Sequence, residues 1–156
     1  MAEHHYATSL AWTGDTGAGT RSHRSYDRSH RISAEGKPDL LCSSDPAFRG
    51  DPARWNPEDL LVAALSGCHM LWYLHLCADA GVVVTGYEDD AAGTMVDHDE
   101  GGEFTSVVLR PVVRVADAGM VADAERLHAE AHRRCFVARS VNFPVTHEPT
   151  VTVAPA

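Results

Sequence analysis

A chain of 156 residues with 44% hydrophobic and 22% charged content holds enough apolar material for one globular domain with a real core. Its 22 acidic residues against 13 basic ones leave a formal net charge of -9, which argues against nucleic acid or an acidic membrane surface as partner. Ten histidines can offset part of that charge in mild acid but not at neutrality.

The chain opens on Met1-Ala2-Glu3-His4-His5, which leads into a polar strand rather than an apolar leader, so a soluble, cytoplasmic protein is expected. His5 to Trp12 alternates, with Tyr6, Leu10 and Trp12 on one face, and reads as a strand. The Gly-rich run Thr13 to Thr20 lacks the order and the lysine of a phosphate-binding loop and is read as a hairpin connection. A second strand is expected over Arg24 to Ile32, with Arg24, Tyr26, Arg28 and His30 on one side, and a short third over Leu40, Leu41 and Cys42. Ser43 to Trp55 is then a loop long enough to be functional, and it brings two arginines, Arg49 and Arg54, up to the next element.

That element organises the chain. Asn56 is a good N-cap, Pro57 suits the first helical position, Glu58 and Asp59 complement the helix dipole, and Gly81 suits the position just past the end. The helix between them is about 24 residues, or about 36 Å, long. From Leu60 to Leu74 it is apolar nearly all round and is expected to be buried on every side. Asp59 and Asp79 flank it, Ser66, His69 and His75 interrupt it, and no basic flank anchors it, so it reads as a core helix and not a membrane span.

After Gly81 a strand from Val82 is expected to continue through Val96, and Asp97 to Gly102 is a polar turn. Phe104 to Val115 returns antiparallel, with Pro111 marking a bulge or an edge. Met120 to Arg134 forms a second helix whose apolar stripe is Val121, Ala124, Leu127, His128 and Ala131; a last strand covers Val145 to Val153, weakened by Pro149. The order predicts an α+β fold, two helices on antiparallel sheet, in a single domain over residues 1–156.

Four cysteines, Cys42, Cys68, Cys77 and Cys135, occur without a CxxC pair or a zinc-finger spacing. Cys68 and Cys77 are nine residues apart on one helix, about 900° of rotation, and face opposite sides. Cys135 is free to meet Cys68 if the two helices pack side by side. By residue type alone, small buried hydrophobes are the better reading of these cysteines than a redox pair. Cys68 lies about three turns into its helix, beyond the reach of the N-terminal dipole, so reactivity there needs a cation from outside the helix. Arginine suits that role because it keeps its charge when partly buried. Arg49 and Arg54 are nearest in sequence, with Arg28 a further candidate.

The segment Asn56-Pro57-Glu58-Asp59-Leu60 running on to Ser66-Gly67-Cys68-His69 resembles the Asn-Pro-Glu helix motif of the OsmC/Ohr family, the osmotically inducible and organic hydroperoxide resistance proteins. Ala131 to Val145, which carries Cys135, resembles that family's second cysteine block. The resemblance implies an OsmC-like fold, an intertwined homodimer and thiol-dependent reduction of organic hydroperoxides. It makes Cys68 the peroxidatic cysteine, Cys135 the resolving one with which it forms a disulfide, and Glu58 the acid that holds the activating arginine. Arg49 matches the arginine of osmotic members, in the loop before the helix, and Arg21 loosely matches that of hydroperoxide-resistance members. The implied partners are the hydroperoxide and an external dithiol, lipoyl-type or small-thiol; no metal or organic cofactor is called for.

Glu58 and Cys68 are ten residues apart, about 15 Å along the axis, more than one arginine can span within a helix. Either a neighbouring subunit supplies the arginine and glutamate, or the helix bends near Gly67. His69 and His75 point too far apart to share a metal, while His128 and His132 are spaced as a ligand pair without an obvious third partner. The alternative function is a non-catalytic binding protein that holds an apolar ligand at the dimer interface while its cysteines merely pack.

Overall fold

The N-terminal alternating segments pair as an antiparallel sheet of β1 (Ser9–Trp12), β2 (His30–Ser33) and β3 (Leu40–Cys42), in that order. The structure is a computed structural model that describes residues 1–155, and it divides into two units, Met1–Leu61 and Val62–Ala156.

In the first unit the ladder of β2 starts later than its alternation predicts. Upstream of His30 there is only an isolated bridge between Asp15 and Tyr26. Polar side chains satisfy the backbone locally there: Asp15 accepts from the amides of Gly17 and Gly19, and the Ser25 hydroxyl donates to the Gly19 carbonyl. Gly14 is required by contact, because a Cβ would sit 1.8 Å from the Asp27 carbonyl oxygen. In the loop that follows β3, Asp45 caps a single turn, Pro46–Phe48, which Arg49 ends in the left-handed region at φ 68°.

Helix α1 (Pro57–Asp79) starts and stops where its caps predict. The Asp59 amide donates to the Asn56 side chain at 2.7 Å. At the other end Gly81 takes φ 72° and the Val82 amide closes on the Cys77 carbonyl at 2.8 Å. The helix runs uninterrupted through Gly67. The expectation that it is buried on every side does not hold for the single chain. Leu65, His69, Tyr73, Leu76 and Cys77 are buried on one face, while Ala63 and Ala64 are exposed and Leu71 is 65% exposed. The reason is supply: the chain provides cover for one face of the cylinder only. By length and composition alone α1 could cross a membrane; its buried face packs into the core described next.

The second unit holds β4 (Val84–Asp89), β5 (Ala92–His98), β6 (Gly101–Leu109), β7 (Pro111–Val115), α2 (Val121–Arg134), β8 (Val145–His147) and β9 (Thr150–Val153). Each long segment expected as one strand is two. The outgoing and returning chains form a ribbon that leaves one sheet, β4-β7-β9, and enters another, β5-β6-β8. At the crossing the Asp89 carboxylate accepts from the Arg110 amide and the Ser66 hydroxyl, at 2.6 and 2.5 Å. Pro111 fits as the first residue of its strand, where no ladder donor is needed. The final segment splits around Pro149, and β8 and β9 run parallel to β6 and β7, so these two sheets are mixed rather than purely antiparallel. The core joins Tyr73, Leu76 and Cys77 of α1 to Val113 and Val115 of β7 and to Ala124, Leu127 and Ala131 of α2.

Candidate active site

Cys135 occupies the C-cap of α2. Its amide still bonds to the Ala131 carbonyl at 2.9 Å, but its backbone is extended, which turns the chain away and keeps the side chain 1% exposed. Its sulfur accepts from the Ala138 amide at 3.4 Å. Cys68, at the middle of α1, is half-buried beside it. Burial pushes the Cys135 thiol up to about 11, and the neighbouring Cys68 thiol adds to the rise. The two sulfurs that the motifs single out are therefore direct neighbours, and both are free thiols. Cys77, on another face of α1, is raised by burial and contacts Tyr73 instead. Cys42 lies in β3, also raised by burial and opposed by Arg54.

Two side-chain hydrogen bonds join α1 to α2. The Tyr73 hydroxyl donates to the Ala124 carbonyl at 3.0 Å, and His69 Nε2 meets His128 Nδ1 at 3.0 Å. Tyr73 also stacks on His128, and further along α2 the Arg134 guanidinium lies 5.7 Å from the Trp72 ring, so α2 crosses α1 over the stretch from His69 to Tyr73. That crossing sets the end of α2, Arg134 to Phe136, beside the middle of α1.

In the N-terminal unit, Glu58 in the first turn of α1 lines a cavity of about 320 Å³ whose wall also includes Tyr26, Arg28 and Phe48. The Arg28 guanidinium donates to the Tyr26 carbonyl at 2.7 Å and lies 4.2 Å from the centre of that tyrosine ring. Arg49 follows Phe48 but does not line the cavity. Arg54 pairs with Asp51 at 3.5 Å, and Arg21 is exposed in the turn after β1. Of the candidate arginines, Arg28 shares a cavity with Glu58.

Beside Cys135, an open apolar cleft of about 300 Å³ is lined by Leu71, Trp72, His75 and Phe136. Trp72 meets Phe136 edge-on at 5.4 Å, and Phe136 is 67% exposed.

The histidine arrangement was not legible from spacing. His128 and His132 do acquire neighbours, because α1 brings His69 and β8 brings His147. The His147 ring lies 5.6 Å from that of His69, 6.1 Å from His128 and 5.5 Å from His132. Among the described residues, no three His, Cys, Asp or Glu side chains are grouped so as to hold a metal ion. Burial first, and neighbouring imidazoles second, lower His69 to about 4 and His128 to about 3. The available signal was a histidine inside each of two apolar helix faces, a position where the ring must find a buried partner.

The family of OsmC-like proteins matches residues 50–150 of the chain. An OsmC-like protein of unknown function from Vibrio cholerae O1 biovar eltor strain N16961 is 34% identical, with 96% of this chain and 100% of that one covered and a TM-score of 0.82. Organic hydroperoxide resistance proteins from Elizabethkingia anophelis and Legionella pneumophila share the fold at 16% identity, each with a TM-score of 0.64. The alignments cover 98% and 97% of this chain, and 100% of each of those. No curated protein matches the chain.

Proposed function

Because the chain belongs to the family of OsmC-like proteins, we propose that it is a thiol-dependent peroxidase that reduces organic hydroperoxides to alcohols. The observation that carries the reading is that Cys68 and Cys135 are neighbours. A lone buried thiol is inert, but two thiols within reach of each other can complete a two-electron cycle.

The Cys68 thiolate attacks the terminal oxygen of ROOH. The O–O bond breaks, one proton is taken up, and ROH leaves behind Cys68 sulfenic acid. The Cys135 thiol then condenses with it, forming the Cys68–Cys135 disulfide and releasing water. An external dithiol, lipoyl-type or small, reduces the disulfide through a mixed disulfide and is itself oxidised. A thiolate nucleophile at neutral pH calls for a nearby cation. The family resemblance gives that role to Arg49, held by Glu58; Arg28, which shares a cavity wall with Glu58, is the other candidate.

The chain acts as a homodimer in this reading. The uncovered apolar surface of Ala63, Ala64 and Leu71 on α1, together with Phe136, supports it, because a second copy supplies the cover that one chain lacks. Roofed by that second copy, the apolar cleft of Leu71, Trp72 and Phe136 suits a peroxide with a carbon body over hydrogen peroxide.

The test is steady-state turnover of cumene hydroperoxide and of hydrogen peroxide with dihydrolipoamide and with a monothiol. The peroxidase reading expects catalytic turnover that favours the organic substrate. Untouched thiols and reversible binding of an apolar probe would make the protein a ligand carrier instead.

A further inference from the structure

Two buried rings that the thiol chemistry does not use stand between the helices that carry the two sulfurs. His69 directly follows Cys68 on α1, and His128 lies seven residues before Cys135 on α2. Nε2 of His69 meets Nδ1 of His128 at 3.0 Å, with the residues 1% and 0% exposed. Tyr73, one turn further along α1, lays its ring on His128 with centroids 3.9 Å apart and planes 13° apart. His128 is thereby held on its face by Tyr73 and on its edge by His69.

The bond between the rings is specific in its chemistry. Of the two facing nitrogens one must carry a proton and the other a lone pair. Whichever ring donates, the far nitrogens, His69 Nδ1 and His128 Nε2, are one N–H and one lone pair, and both are buried without a partner. Leaving them unpartnered is costly in a core. The facing atoms are therefore the one place where either ring meets its hydrogen-bonding need. Apolar side chains of similar size would fill the same space without those orphans, so packing alone does not account for the pair.

We propose that the His69–His128 hydrogen bond is a clamp that fixes the point at which α2 crosses α1 and so sets Cys135 against Cys68. His69 and His128 are then positioning residues for disulfide closure. The proposal rests on the reading that these two cysteines form a disulfide. In the folded protein both rings stay neutral far below neutral pH, as burial requires, and the clamp holds through that range.

The test is the thiol–disulfide equilibrium of the full chain with glutathione, in which the protein dithiol and GSSG give the protein disulfide and two GSH. Acid quench, alkylation and peptide mass analysis read the Cys68–Cys135 disulfide, and the equilibrium constant reports how closely the sulfurs are held without any use of peroxide. His128→Asn places an amide where Nδ1 stood and keeps a partner for His69; His128→Leu fills the space without one. The clamp predicts an equilibrium constant within about threefold of the unsubstituted protein for His128→Asn and a loss of at least about tenfold for His128→Leu, the size of one modest hydrogen bond. Should either variant fail to fold, His69→Gln and His69→Leu make the same comparison from the other ring. A disulfide as stable in the leucine variant as in the asparagine variant overturns the clamp and leaves the redox reading standing. Failure of the unsubstituted protein to form the disulfide at any GSSG concentration overturns both.

Discussion

Cys135 neighbours Cys68, and the nearby thiol adds to burial in holding the Cys135 sulfur protonated, up to about 11. At neutral pH one member of the pair is a thiol by construction. To condense with a Cys68 sulfenic acid the Cys135 sulfur attacks as it gives up this proton, which leaves with the sulfenic oxygen as water.

Replacing Cys135 by Ser therefore separates the half-reactions. With one equivalent of cumene hydroperoxide, Cys135→Ser should gain a single oxygen at Cys68, captured by dimedone, while alcohol release in the first turnover continues. Steady-state turnover with a dithiol should fall sharply. Intact mass and product analysis on the same sample read both effects.

The arginine assignment divides cleanly between two variants. Arg28 shares a cavity with Glu58, whereas Arg49 holds a left-handed corner outside its wall. Removing the activating cation should slow Cys68 oxidation about tenfold or more, because a nearby positive charge lowers a thiol pKa by about one unit or more. Stopped-flow oxidation of Arg28→Ala and Arg49→Ala identifies which one acts, and equal wild-type rates for both would direct attention to Arg21 and Arg54.

The buried imidazoles make stability depend on pH. The unfolded chain takes up protons near the ordinary value of 6.5, while His69 waits until about 4 and His128 until about 3 in the folded chain. As pH falls through that window the unfolded state binds protons first, so stability is full above about 6.5 and is lost toward 3. Together the two rings are expected to remove several kcal/mol, on the order of one for each unit of pKa difference. Urea midpoints should stay level from pH 8 to about 7 and fall steeply below 6, and His128→Asn should flatten the fall.

Tyr73→Phe tests the second contact between the helices. It removes the hydrogen bond that the Tyr73 hydroxyl donates to the Ala124 carbonyl inside α2. A loss of about 1 kcal/mol is expected, or a Tm lower by about 2–4 °C in a chain of this size. Calorimetry of the two proteins at pH 7.5 measures it.

What could be read from the chain follows the range of the forces involved. The limits of α1 were legible because Asn56, Pro57 and Gly81 act within one turn of the helix ends. Cys68 and Cys135 were legible because each sits in a recognisable block. The passage of both ribbon chains from one sheet to the other was not, because it is set by Asp89 receiving Arg110 and Ser66, contacts 21 and 23 residues apart. The parallel pairing of β8 and β9 is likewise tertiary. The bare face of α1 escaped for a related reason: an apolar pattern reports that a helix will be covered, but not whether its own chain provides the cover. The histidines are the extreme case, since 59 residues separate His69 from the partner of its Nε2.

The most direct test of the account is peptide mapping under non-reducing conditions after one equivalent of cumene hydroperoxide at pH 7. The account predicts loss of two hydrogens from the intact chain, found as a single disulfide between the peptides of Cys68 and Cys135, and reversed by dihydrolipoamide. Recovery of both cysteines as free thiols, or oxidation that falls on Cys42 or Cys77 instead, would contradict it.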